Sequence, residues 1–451
     1  MTVKLVRFVA FLLALGLIFA TTTKAQTQSI PPSTFSIDPY NALVPADSSR
    51  TIPQGTKITL QNWRDYKGFL PVSLQALYSG AYPWHVGPGP DYTVEVGPTI
   101  HQLLPRRYVE DTEKYSNQVR LEKVPSGGYT VTGYVAGLPF PNPAEPQMGY
   151  KIFYNTFFSA NPAIFFYRSL GFTVDRFGNS SGSDADVISY EVNHISDPSY
   201  PISPPYGKGW VRSGRIYLRQ PEQSKYLTEI TLSHDDPAQI GELYVFIPSL
   251  RRPLRLSSSA RCAPIAGGDF VNDDFFSGCN FQAPEFNLKY LGTKKVLSLF
   301  HMDQVKAREV NNYADGTSTL PSWPKPLLGK WELRDAYVVD VTPLPTQPGY
   351  CYGHKVIYFD KETFIPLWLD IYDRDEKLWK AFMTFSSPVP TPSGEEVYIL
   401  GVNTETMVEL QNKHLQISVV SGPVSIDKDV SAEYRNVQLM AFPGSLSQVM
   451  Q

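Results

Sequence analysis

Seven histidines are the first residues to test for chemistry: His85, His101, His194, His234, His301, His354 and His414. None forms an H-x-x-x-H or H-E-x-x-H pair, the spacing that sets two imidazoles on one helix face around zinc. No strand–turn–helix elbow offers a serine nucleophile. His234-Asp235-Asp236 joins a base to two acids, but it follows a strand-like run and precedes Pro237, the setting of a polar turn. Asp269, Asp273 and Asp274 supply the hard oxygens that Ca²⁺ takes, yet lack the order of a calcium loop. They read as Asx turns in a solvated loop. The sequence thus predicts no catalytic residue, no metal site and no cofactor.

Apolar chemistry is better represented. Trp331, Leu333, Tyr337, Val339 and Val341 alternate with Glu332, Arg334, Ala336, Val338 and Asp340, the period of a strand with one apolar face. Tyr358, Trp368 and Trp379 follow on the next strand-like runs. Trp331, Leu333, Tyr337, Val339, Tyr358, Trp368 and Trp379 are therefore the candidate wall of a hydrophobic binding site; the plainer reading makes them core. Arg251, Arg252 and Arg255 form a small basic group suited to a lipid head group or an acidic partner, or to a solvent-facing strand edge. Cys262 and Cys279 bracket a Gly- and Asp-rich loop that a disulfide between them would staple, and a partner for Cys351 is equally allowed.

The elements that position these residues begin after a leader. Lys4 and Arg7 precede an apolar run over 8–20, and Thr23 and Ala25 offer a small-residue cleavage site. Residues 1–25 are predicted to be a secretory signal peptide. The run is shorter than the ~18 residues a membrane span needs, and no cysteine lies near the cleavage site for lipidation. Export permits disulfides. A formal net charge of −3 gives no case for nucleic acid.

Residues 26–50, rich in Ser, Pro and Thr, form an extended lead, and 51–451 a single domain. A helical patch is expected over 62–80, N-capped by Asn62, with a short helix near 108–118. Residues 149–158 fit either helix or strand. A hairpin is expected over 119–135, turned at Ser126-Gly127-Gly128. Strands are expected at 163–168, 186–192, 209–218, 226–233, 243–247, 294–299, 332–341, 354–359, 364–373, 378–385, 397–403 and 414–420. The 13% aromatic share suits strands. Without crossover helices these strands must pair antiparallel.

Several blocks resemble, in order, the family catalogued as domain of unknown function 1329. They are NWRDYKGFLP (62–71), DYTVEVGPT (91–99), EKYSNQV (113–119), GYVAGLPFP (133–141), ELYVFIPSLRRPLRL (242–256), GGDFVNDDFFSG (267–278), WELRDAYVVDVTPLP (331–345) and HKVIYFDKETFIPLWLDIYDRDEKLWK (354–380). The resemblance implies an α+β, mainly β fold like the LolA/LolB lipoprotein carriers. That fold is a large curved antiparallel sheet, a half-barrel, with short helices over its concave face. It implies a periplasmic binding or carrier protein for a lipid, a lipoprotein acyl chain or another hydrophobic molecule, soluble after cleavage and acting at the outer membrane. An envelope export machine or an outer-membrane protein is then among the partners to expect. The contrasting expectation is a non-catalytic envelope sensor or accessory subunit whose cavity is closed.

Overall fold

Strand-forming runs separated by tight turns leave the chain few choices but a meander of antiparallel neighbours. The computed structural model describes residues 42–81, 93–177, 179–257, 261–265, 268–303 and 329–449. The signal peptide expected at 1–25, and the lead up to residue 41, lie outside the described residues.

Two small pairings precede the main sheet: β1 (Lys57–Ile58) with β2 (Val94–Glu95), and β3 (Arg120–Lys123) with β4 (Tyr129–Thr132). The first meander is β5 (Ile164–Val174), β6 (Ser180–Glu191), β7 (Trp210–Gln220), β8 (Thr228–His234), β9 (Glu242–Ile247) and β10 (Arg252–Leu256). The second is β11 (Phe286–Ser298), β12 (Glu332–Pro343), β13 (His354–Asp360), β14 (Pro366–Tyr372) and β15 (Leu378–Ser386). After the short pair β16 (Val389–Pro390) and β17 (Glu396–Val397) it continues with β18 (Asn403–Glu409) and β19 (His414–Ile426). β19 pairs with β5, so the two meanders fuse into one open antiparallel sheet of thirteen strands with β10 and β11 as its edges. The expected mainly β architecture on a large antiparallel sheet is what the structure shows.

This order has a consequence for the chain between the edges. β10 and β11 are consecutive in sequence but lie at opposite sides of the sheet. With strands ~4.8 Å apart, the linking residues 257–285 must bridge several strand widths. Their described part, 261–265 and 268–285, lies across one face, which is called the plug face below.

Both faces are covered. Helix α1 (Val72–Tyr78) lies on the face away from the plug: Asp370 of β14 accepts the N–H groups of Val72 (3.2 Å) and Ser73 (2.9 Å) at its first turn. These are orphan donors that no residue of the helix satisfies. Helix α2 (Arg106–Tyr115) follows, and helix α3 (Met148–Phe157) packs on the plug face with Tyr337, Val339, Phe359 and Leu369. The cover expected on one face is thus split between two. The C-terminal turns seat Val437, Ala441 and Leu446 on β5–β9.

Some local expectations change. Residues Trp63–Phe69 form a 3₁₀ turn, and Asn62 does not cap it; its Oδ1 accepts the Thr59 N–H at 2.7 Å instead. Residues 149–158 resolve as helix. The strand expected at 397–403 is displaced to β18, whose polar sequence NTETMVE hides a fully buried central strand. The string GNSSG (178–182) spells G-x-S-x-G, but Ser180 opens β6 in a strand-to-strand hairpin and is no elbow.

Candidate functional site

The plug is built from residues that the sequence alone left in a solvated loop. Asp273 and Asp274 are 1% and 0% exposed. Arg261 ties the start of the segment to its middle and its end, pairing with Asp273 (2.7 Å) and with Glu285. Asp274 Oδ2 accepts the Val271 N–H at 3.0 Å and the Tyr352 O–H at 2.6 Å. Among the described residues no group of His, Cys, Asp and Glu is arranged to hold a metal ion.

The sheet reaches up to the plug with polar side chains. Lys380 Nζ donates to the Asp269 carbonyl at 2.5 Å, and Lys355 Nζ to the Gly278 carbonyl at 3.1 Å. Gln416 Oε1 accepts the N–H groups of Asp269 (2.5 Å) and Phe270 (3.0 Å). Asn403 Nδ2 donates to Ser277 Oγ at 2.9 Å. Burial pushes the Lys355 ammonium down from its usual value, while Asp274 and Asp273 pull it back up. Burial lifts Asp269 to about 6 against the opposing Lys380, and Glu405 to about 8.

Apolar groups fill the rest. Phe281 packs on Phe153 of α3 (4.6 Å) and on Phe286 (4.9 Å), and Phe270 on Phe382 (5.3 Å). Phe276 and Ser277 both take positive φ, +52° and +56°, a conformation that L-residues keep only when neighbours enforce it. Gly278 follows at φ +82°, where an added Cβ would meet Leu369 Cδ2 at 2.3 Å. Two clefts at the plug margin have volumes of about 20 Å³ and 40 Å³. Ligand pockets for apolar molecules run to ~300 Å³ and more.

Beyond the plug the same face continues across β6–β10. Cross-strand partners Val187–Ile216, Ile216–Glu229, Glu229–Val245 and Val245–Leu254 run in one row, with Leu243 and Leu256 opposite each other one step along. Val187, Ile216, Leu243, Leu254 and Leu256 are half-buried. Glu229 sits in the middle of this aliphatic row, and burial raises its carboxyl to about 7 despite a hydrogen bond to Thr231. Its Oε1 has no hydrogen-bond partner. Sequence reading missed this row because its members are scattered over five strands.

The seven wall residues do not gather. Tyr337 and Val339 face the plug side with α3. Tyr358 and Trp368 face the other way: the Tyr358 O–H donates to Asp370 (2.7 Å) beneath α1, and Trp368 Nε1 donates to the Leu297 carbonyl (2.9 Å). Trp331 packs on Trp368 with centroids 5.8 Å apart. Leu333 is half-buried, and half-buried Trp379 lies edge-on to Tyr352 at 5.6 Å. Tyr337 of β12 and the pair Tyr358–Trp368 of β13 and β14 thus serve opposite faces, which side-chain alternation within one strand does not reveal.

The arginines do not form one patch either. Arg251 lies in the β9–β10 turn. Arg252 and Arg255, three apart on edge strand β10, point to opposite faces, and Arg255 pairs with Glu242 at 2.7 Å. The cysteine pairing differs from the one drawn between Cys262 and Cys279. Cys262 joins Cys351, tying the plug to the loop before β13, and Cys279 is buried and free. His234 ends β8, and Asp235 and Asp236 follow in a turn in which Asp235 engages His194 and Asn193.

The profile of the family described as "Protein of unknown function (DUF1329)" matches residues 57–438. The chain belongs to the DUF1329 family. A DUF1329 family protein from Desulfovibrio piger is 15% identical, with 64% of this chain and 96% of that one covered at a TM-score of 0.44. A putative outer membrane lipoprotein-sorting protein domain from Vibrio parahaemolyticus is 15% identical, covering 62% and 92% at 0.40. A LolA superfamily protein from Nitrosomonas europaea is 13% identical, covering 64% and 97% at 0.36. No curated protein matches this DUF1329 sequence. The DUF1329 match takes in the whole plug and both edges it links.

Proposed function

We propose that this protein is a non-catalytic binding or carrier protein of the cell envelope. Its ligand is a lipid, a lipoprotein acyl chain or another hydrophobic molecule, taken up on the plug face and delivered at the outer membrane. The observation that carries the reading is the half-buried aliphatic row from Val187 to Leu254, continuous with the face under the plug. Burying such a surface against an apolar ligand gains ~25 cal/mol per Å². The leader-like first 25 residues and the Cys262–Cys351 disulfide suit an oxidising compartment outside the cytoplasm.

A second reading has its own support. The plug occupies the β12–β18 part of the face, and the adjoining clefts are too small for an acyl chain. In that reading the protein is a closed envelope sensor or accessory subunit. Native mass spectrometry with lipid extraction, together with titration of a fluorescent fatty acid, separates the two. The carrier reading expects saturable binding that Ile216→Glu abolishes. Repeated preparations free of lipid, with no saturable binding of the fatty acid, leave the closed module.

A further inference from the structure

We propose that the turns at one end of β5–β10 dock the protein on the surface of an anionic lipid bilayer. In an antiparallel meander successive turns alternate between the two ends. The β5–β6, β7–β8 and β9–β10 turns therefore project from the same end. Neighbouring turns are offset by about 10 Å across the sheet, and the β5–β6 hairpin reaches further out, since Ser180–Ser183 run past the last β7 partner, Asp184–Gln220, by about 13 Å.

Each turn pairs an apolar or aromatic side chain with a base. Phe177, 75% exposed, tips the first, with the Arg176 guanidinium 4.9 Å from its ring centroid. Tyr226 in the second has Lys225 Nζ 5.4 Å from its ring. Leu250, 46% exposed, leads the third and is followed by exposed Arg251 and Arg252. Phe177 is held in place, because Asp175 Oδ1 accepts the N–H groups of Phe177 (2.8 Å) and Asn179 (2.9 Å).

These turns carry four bases, Arg176, Lys225, Arg251 and Arg252, against the acids Asp175 and Glu222, on a chain of net charge −3. Charge is thus locally reversed where Phe177 and Leu250 protrude, with Tyr226 half-buried between them against Tyr217. That is the makeup of an interfacial anchor: rings and leucine enter the acyl boundary while guanidinium and ammonium groups stay with the phosphates. The opposite end of the sheet shows the contrast. Leu103, 84% exposed, belongs to a segment in which Glu362 and Glu395 stand beside His101 and Arg106, so its charge is balanced rather than basic.

The inference concerns where the protein docks and does not depend on what it carries. The test is co-sedimentation of the purified protein with phosphatidylglycerol-containing vesicles and with phosphatidylcholine vesicles. Binding to the anionic vesicles alone is expected, weakening as salt rises. The double variant F177A/L250A and, separately, R251E/R252E should each lose about tenfold or more, with Leu103→Ala unchanged. Thermal melting checks that the variants fold, and the fatty-acid titration should be unaltered by them. Equal binding to both vesicle types, wild-type binding by the turn variants, or no binding to either vesicle overturns the proposal.

Discussion

The Tyr352 hydroxyl donates to Asp274 Oδ2 at 2.6 Å while Lys380 donates to that same hydroxyl at 3.2 Å. A buried chain of three polar groups therefore fastens the plug to the sheet. Tyr352→Phe removes the link and leaves an acidic acceptor under-satisfied, at a cost of about 1–3 kcal/mol. Hydrogen exchange in 268–281 should accelerate more than in β13–β15. Uniform exchange across plug and sheet would show that the link does not hold the plug.

Glu405 sets a pH dependence. Burial holds its carboxyl protonated up to about 8 in the folded state, against an ordinary 4.5. Between these values the unfolded chain releases the proton and the folded one keeps it. Stability must then fall as pH rises through that window. Glu229 (about 7) and Asp269 (about 6), both raised chiefly by burial, add to the same slope over narrower ranges. Glu405→Gln should flatten the slope and gain on the order of a few kcal/mol near pH 8. Urea unfolding at several pH values measures it; an unchanged slope in the variant excludes Glu405 as the source.

Arg334 is 2% exposed on the face of α1 and serves three carboxylates: Asp360 at 2.8 Å, Glu362 at 3.0 Å and Glu332 at 3.3 Å. Arg334→Met strands buried negative charge and should cost about 3–5 kcal/mol. Chemical denaturation reads this directly, and a loss below about 1 kcal/mol would mean that the cluster relaxes into water.

The Cys262–Cys351 bridge closes a span of 89 residues. Cys351→Ser should lower stability by about 2–5 kcal/mol. Cys279, whose thiol burial pushes up to about 12, should stay unreactive toward alkylating reagents in the native protein. Peptide mapping of alkylated protein settles both the pairing and the free thiol. A Cys262–Cys279 linkage there would refute it.

Strand existence was largely legible because alternation is a local signal. β7, β8, β9, β12 and β13 fall within a few residues of the runs expected from side-chain period alone. β18 was not legible. Thr404, Glu405, Thr406 and Glu409 look like a surface, and only burial between β15 and β19 makes them interior. The plug acids escaped for the same reason. Nothing in an Asp-rich stretch says that Tyr352, Lys355 and Lys380 will be brought to it from elsewhere in the chain.

The amino-acid sequence by itself determined the strand-rich class, the antiparallel pairing and the family, since each rests on neighbours in the chain. Tertiary structure alone decided which face each aromatic serves, which cysteines pair, and that residues 268–285 lie on the sheet. The physical reason is topological. Two meanders that fuse at β5 and β19 put consecutive strands β10 and β11 at opposite edges, and the chain between them has to return across a face.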